Sequence, residues 1–385
     1  MKARFDLILQ GQQDYKNRKI LILLAINERV GGGLLIISEA AAMQKMGVNV
    51  QFLNFYSQQA DFERAYPDNP IPVIYILQPS DISKVCQNFD AIIATAFFTV
   101  EWLKPLSNTN IKLAYYIQDF EPYFFINNPL QNGLFWKSAW IRRRISGYFF
   151  RKNKDFREAW VSYVTKNLIL FTKTTWNQRE VFYQTGKLPH IVGISYDCDR
   201  FFMQEKELSN QINITAMIRP NTPRRNATFT MNILEKIAQK YREKVNILLF
   251  GIEKEHSYWK AFDFPFQNLG ALTADEMAII LRKSDIFVDF SCYQAMGLTA
   301  LEAMACRNAV IVPQAGGAVD FVKHLNNGLI VDTSNSKRCL NALEMLISHQ
   351  TMRETLAKNA QQSVSQFFPE QPAFEILKLL FQHND

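Results

Sequence analysis

The sequence predicts an α/β protein of two Rossmann-like domains, each a parallel sheet covered by helices. Three observations carry this reading. Apolar runs of strand length alternate with helical stretches along the chain, the order that parallel sheets with right-handed crossovers require. At 385 residues the chain exceeds what one core ordinarily serves. The alternation is broken by the polar stretch DRFFMQEKELSNQ at 199–211, which reads as a linker and divides a domain at 1–205 from one at 206–365.

The first unit opens with KILILLAINERVGGGLLIISEAAAMQKMG. Ile20 to Ile26 is a continuous apolar run, as in a strand buried on both faces. Gly31-Gly32-Gly33 reads as a turn, Leu34 to Met46 as a helix, and Gly47 as its C-cap. VNVQFLNF, AIIATAFFT, KLAYYIQDF, LILFTK and IVGIS continue as strands. The second set begins with the strand INITAMIRP, a helix over about 228–241 and the strand VNILLFG. QNLG, the helix ADEMAIILRKS and the strand DIFVDF follow. A helix then starts near Ala295, succeeded by the strands NAVIVP and GLIV. PAFEILKLLFQ, within 366–385, reads as a closing helix.

In open α/β sheets ligands bind beyond the carboxyl ends of strands, and three motifs sit there. Gly31–Gly33 lets backbone N–H groups approach a phosphate at a helix start; a tight turn without a ligand is the other reading, and the spacing is not G-x-G-x-x-G. Arg219, Arg224 and Arg225 follow the strand ITAM in a proline-rich loop, where guanidinium forks suit phosphate; a solvated basic loop is the alternative. The third motif is SCYQAMGLTALEAMACRNAVIVPQAGG, Ser291 to Gly317. Gln294 and Gly297-Leu298-Thr299 fall in the first turn of its helix, whose free N–H groups can hold a phosphate or a sugar hydroxyl. Glu302 lies deeper, able to accept from ribose hydroxyls or simply to be a surface charge.

Composition narrows the class. Apolar residues make up 48% and charged residues 21%, which is globular. The net charge of +7 suits anionic partners. Five scattered cysteines without C-x-x-C argue against a disulfide framework and for a reducing compartment. The start MKARFDLILQGQQDYK lacks a secretory apolar run, and Ile20–Ile26 is far short of a membrane span. A cytoplasmic protein, peripheral on the inner face of the cell membrane, is the expectation. The five histidines form no ligand spacing. No nucleic-acid motif is present. The stretch 136–154, WKSAWIRRRISGYFFRKNK, interleaves seven Lys or Arg with aromatics. Its apolar positions do not fall on one helical face, so a helix packed on its domain and a surface for anionic lipid headgroups both fit.

Gln294-x7-Glu302 within YQAMGLTALEAMACRNAVI resembles the E-x7-E region of retaining glycosyltransferases of family 4. Other landmarks follow in order: Gly31–Gly33 as the glycine-rich turn, Arg219 and Arg224 as the R-x4-K pair, SYDCDRFF, LRKSDIFVDFS and VKHLNNGLIV. The resemblance implies the GT-B fold, two Rossmann-like domains facing a central cleft. The first would bind the acceptor and the second the nucleotide sugar, with the last helix crossing back to the first. It implies transfer of a sugar from a dTDP-, UDP- or GDP-sugar donor to a glycan or lipid-linked glycan acceptor, with retention and with no required metal or other cofactor. Glu302 would grip the ribose and Gln294 face the donor sugar or its phosphate. Arg219 and Arg224, with N–H groups at Gly32, Gly33, Gly297, Leu298 and Thr299, would stabilise the departing diphosphate. Asp119 and Glu121, after KLAYYIQ, are the acid/base or acceptor-binding candidates; shaping a loop is the alternative. Asp197-Cys198-Asp199 is formally D-x-D but reads as structural. The stretch QDFEPYF resembles bacterial cell-surface rhamnosyltransferases that use dTDP-rhamnose. The chain departs from the family at Gln294, at Gln118 where a His is usual, and at Arg307-Asn308-Ala309. Those departures keep a second reading open, a non-catalytic GT-B protein that binds a sugar nucleotide or a partner enzyme. A third is a nucleic-acid or membrane-binding protein driven by the basic stretch.

Overall fold

The computed structural model describes residues 2–26, 31–126, 138–206 and 209–382. It divides into two units, Met1–Ile126, Arg143–Asp197 and Phe367–Asp385 in the first, and Asn127–Arg142 and Cys198–Gln366 in the second.

The first unit carries β1 (Lys19–Leu23), β2 (Asn49–Phe55), β3 (Val73–Ile76), β4 (Ala91–Ala94), β5 (Lys112–Ile117), β6 (Ile169–Thr172) and β7 (His190–Ile191). They form one parallel sheet in the order β3-β2-β1-β4-β5-β6-β7. Its helices are α1 (Lys2–Asp14), α2 (Gly31–Lys45), α3 (Gln59–Ala65), α4 (Ile82–Cys86) and α5 (Phe97–Glu101), then α6 (Ala139–Lys152), which begins in the second unit, α7 (Lys154–Ser162) and α8 (Thr175–Thr185). β1 is buried from Ile20 onward, as its unbroken apolar run requires.

The three glycines are the first turn of α2, where the sequence suggested a turn before it. None of them has a positive φ. Close approach explains two of them instead: a Cβ on Gly32 would lie 1.6 Å from Gln118 Oε1, and one on Gly33 would lie 2.4 Å from Tyr66 Oη and 2.7 Å from Ile26 Cδ1. Glu28 and Arg29 lie outside the described residues.

The second unit carries β8 (Ile212–Met217), β9 (Val245–Phe250), β10 (Gln267–Gly270), β11 (Ile286–Val288), β12 (Ala309–Pro313) and β13 (Leu329–Val331). All are parallel in the order β10-β9-β8-β11-β12-β13. Its further helices are α9 (Ala227–Tyr241), α10 (Ala274–Lys283), α11 (Leu298–Ala305), α12 (Ser336–Ser348) and α13 (Gln350–Val364). The last helix, α14 (Glu370–Phe381), belongs to the first unit. Its Ala373, Phe374, Ile376, Leu377 and Leu380 complete that unit's core. Glu370 receives Arg4 at 2.8 Å and Lys45 at 3.4 Å, tying α14 to α1 and α2.

The chain passes between units after Asp197, and the polar segment 198–206 is part of the second unit. Its charges make contacts. Arg200 pairs with Asp275 at 2.9 Å, Arg282 stacks on Phe202 at 4.2 Å, and Lys206 donates to the Arg307 carbonyl at 3.1 Å. Among the described residues no helix is long and apolar enough to cross a membrane.

Candidate functional site

In the second unit β9 and β10 extend to one side of β8, and β12 and β13 to the other side of β11. The strand order therefore reverses between β8 and β11, the kind of crevice where open sheets take ligands. The loop after β8 carries the arginines, and the loop after β11 carries Gln294.

These loops are stitched together. Asn226, in the left-handed region at φ 53°, donates to the Phe290 carbonyl at 3.2 Å. The Cys292 N–H donates to the Arg224 carbonyl at 2.8 Å. The Arg224 guanidinium lies 5.7 Å from the centre of the Tyr293 ring. Gln294 is 5% exposed, and its carboxamide is oriented by the donors around it. Its oxygen accepts from Arg225 Nη1 at 2.5 Å and Arg225 Nε at 3.1 Å, and lies 2.8 Å from Ser291 Oγ. Asp289 braces Ser291 in turn, accepting from its N–H at 3.0 Å and from its hydroxyl. Arg219, Arg224 and Arg225 are all half-buried.

The backbone of Gln294 pairs with Gly316 in a parallel bridge, and Gly317 N–H donates to the Gln294 carbonyl at 2.8 Å. Gly316 has φ 118°, and a Cβ there would sit 2.1 Å from that carbonyl oxygen. This close approach accounts for the Gly-Gly that ends the motif. It also moves the helix. α11 starts at Leu298 with Gly297 as its N-cap at φ 89°, so Gln294 lies before it, outside the first turn the sequence suggested. Leu298 is half-buried, and Thr299 to Ala305 are all buried. Glu302 is 3% exposed, which removes the reading of it as a surface charge.

In the first unit the order reverses between β1 and β4. Thr95 Oγ1 donates to the Leu23 carbonyl at 2.7 Å, joining the ends of those strands. Beside them the Gln118 carboxamide lies against Gly32 at the start of α2. Asp119 and Glu121 follow, 6% and 8% exposed. Glu121 Oε2 accepts from the Phe97 N–H at 2.7 Å and the Tyr115 hydroxyl at 2.9 Å, so it holds the start of α5. The Tyr163 hydroxyl accepts from the Glu121 N–H at 3.0 Å and donates to the Asp119 carbonyl at 2.9 Å. Burial pushes the Glu121 carboxyl up to about 8; the Phe97 and Tyr115 donors pull it down and Asp119 adds to the rise.

A buried ion pair between Lys173 and Glu39 completes this end of the sheet. Lys173 also donates to Ser195 Oγ at 3.0 Å, and Glu39 accepts from Ser195 at 2.8 Å and Tyr116 at 2.8 Å. Burial holds the Lys173 ammonium below its ordinary value, against the pull of Glu39. Sequence reasoning missed this network and the grip of Arg225 on Gln294. Both join residues distant in sequence, and neighbouring strand order is what brings them together. Among the described residues no three His, Cys, Asp or Glu side chains gather as a metal site.

Residues 203–363 match the family model described as glycosyl transferases group 1. The Campylobacter jejuni N,N'-diacetylbacillosaminyl-diphospho-undecaprenol alpha-1,3-N-acetylgalactosaminyltransferase is 30% identical over 146 residues, 37% of this chain and 38% of that protein. An uncharacterised glycosyltransferase of Methanocaldococcus jannaschii is 25% identical over 140 residues, 35% of this chain and 36% of its own. The matched stretch thus spans well under half of these relatives. The solved structure of Anabaena HepE with UDP and glucose superposes with a TM-score of 0.72 at 17% identity, covering 94% of this chain and 99% of that one. Sucrose-phosphate synthase of Thermosynechococcus elongatus gives 0.70 at 13% identity, covering 94% and 98%. The fold is GT-B, two parallel-sheet Rossmann-like units.

Proposed function

We propose that the protein is a glycosyltransferase that moves a sugar, with retention, from a nucleoside diphosphate to a glycan or lipid-linked acceptor. One observation carries the reading: at the strand-order reversal of the second unit, an arginine loop and the Gln294 loop are joined beside the start of α11, whose buried face holds Glu302. Arginine forks and helix-start N–H groups suit a diphosphate, and a buried carboxylate suits ribose hydroxyls. Arg219, Arg224 and the N–H groups of Leu298 and Thr299 take the diphosphate, stabilising its charge as the sugar leaves. Glu302 takes the ribose. In the first unit the start of α2 at Gly32 and Gly33 offers backbone N–H groups of the kind that hold a phosphate.

Asp119 and Glu121 act here by shaping the acceptor side, since Glu121 already serves α5 and Tyr115. UDP and glucose in the HepE complex, and the lipid-linked substrate in the Campylobacter enzyme's name, support a nucleotide-sugar donor and a lipid-linked acceptor. The rhamnosyltransferase-like stretch puts dTDP-rhamnose among the donors to be tested. For the membrane, α6 exposes Arg144, Tyr148, Arg151 and Lys152 on one stripe while Ser146 and Phe149 are buried, and Trp140 on the same helix is 61% exposed. Basic and aromatic side chains on one stripe suit anionic headgroups. Trp136 and Lys137 lie outside the described residues.

The test is thermal unfolding with UDP, dTDP, GDP and their sugars, wild type beside Glu302→Ala. At about a hundredfold excess over the dissociation constant, a specific nucleotide adds about 2.7 kcal/mol. Stabilisation lost in Glu302→Ala supports the site, and none with any nucleotide overturns it. Binding without transfer of the sugar to an acceptor and release of the nucleoside diphosphate would leave a non-catalytic GT-B protein.

A further inference from the structure

We infer that Gln294 addresses the donor sugar as a hydrogen-bond donor, and that Arg225 is the positioning residue that sets this polarity. The inference rests on reading the β8–β11 crevice as the nucleotide-sugar site. The carboxamide oxygen receives two Arg225 nitrogens, while the Ser291 hydroxyl gives its one proton to Asp289. An amide oxygen has two lone pairs, and the two Arg225 nitrogens fill them. Only the N–H2 group is left to meet a ligand. Turning the carboxamide over would set its N–H2 against the Arg225 donors, and the backbone of residue 294 is held by Gly316 and Gly317.

A glutamate in this place would give one oxygen to Arg225 and present the other as a charged acceptor. The polarity of the position is therefore inverted relative to E-x7-E. A sugar hydroxyl can donate or accept, so it fits either residue. A carbonyl or carboxylate oxygen only accepts; it fits the N–H2 of Gln294 and is repelled by a carboxylate. The favoured donor class is thus a sugar bearing a carbonyl-oxygen substituent, an N-acyl amino sugar or a uronic acid.

The experiment measures dissociation constants by calorimetry for UDP, dTDP, UDP-glucose, UDP-N-acetylglucosamine, UDP-glucuronic acid and dTDP-rhamnose. Each sugar is scored by its gain over the bare nucleotide, in wild type, Gln294→Glu and Arg225→Lys. In wild type the N-acetyl or the glucuronyl compound gains about tenfold more than UDP-glucose, the scale of one net hydrogen bond, and whichever gains identifies the substituent. Gln294→Glu, nearly isosteric, abolishes that advantage, each sugar again being scored against bare UDP in the same variant. Arg225→Lys keeps the charge, loses the two-nitrogen hold and weakens the same advantage. An advantage unmoved by Gln294→Glu, or a wild-type preference for UDP-glucose or dTDP-rhamnose, overturns the inference alone. Failure of both bare nucleotides to bind overturns the site reading beneath it.

Discussion

Glu121 should make the protein less stable as pH rises through neutrality, and Glu121→Gln should remove the effect. The carboxyl sits in the first unit's interior with its pKa raised from 4.5 to about 8, chiefly by burial. A group protonated more readily in the folded state stabilises fully below its unfolded pKa, and that contribution is lost as pH climbs to the folded one. The window is therefore about pH 4.5 to 8. Its full span is about 5 kcal/mol, and the part between about pH 5.5 and 8.5 is about 3 kcal/mol. Glutamine keeps an oxygen for the Phe97 N–H and the Tyr115 hydroxyl but has no proton to lose. Urea unfolding of wild type and Glu121→Gln, followed at about pH 5.5, 7 and 8.5, isolates the residue because other titrations cancel in the difference. The variant should gain on the wild type by about 3 kcal/mol across the series. Parallel curves would refute the reasoning, since they would mean that the carboxyl is ionised in the folded protein at all three values.

Gly316→Ala should destabilise by about 3 kcal/mol or more, because φ 118° strains any L-residue and the new methyl would lie 2.1 Å from the Gln294 carbonyl; a urea midpoint equal to wild type would contradict this. Gly33→Ala should cost about 1–3 kcal/mol by pressing on Tyr66 and Ile26. Gly32→Ala should cost less, since the group in its way is the far end of the Gln118 side chain, and circular-dichroism melts of the two variants rank them. Charge reversal at Arg144, Arg151 and Lys152 should abolish sedimentation with phosphatidylglycerol vesicles, each cation contributing about 1 kcal/mol near an anionic surface, and should leave the melting temperature unchanged.

Strands were legible in the sequence where the parallel sheet buries both faces, so β1 from Ile20 onward and β12 announce themselves as unbroken apolar runs. α1 was not legible: it is largely polar, and of its residues only Gly11 is buried. The start of α11 was misplaced for a different reason. Tyr293, Gln294 and Ala295 carry no local signal against a helix, and the pairing of Gln294 with Gly316 takes them out of it. That pairing depends on β11 lying beside β12, which only the assembled sheet supplies. The two carboxylates divide in the same way. Glu302 stands in an apolar octapeptide, and its burial follows from the company it keeps in sequence. Glu121 stands in a stretch that reads as a loop, and what it serves, the start of α5 and Tyr115, is set by β4 lying beside β5. Sequence can therefore nominate which residue types gather at strand ends. Whether a nominated carboxylate faces a ligand or the protein's own backbone is decided by strand order, and here that order turns Glu121 inward and sets Arg225 on Gln294.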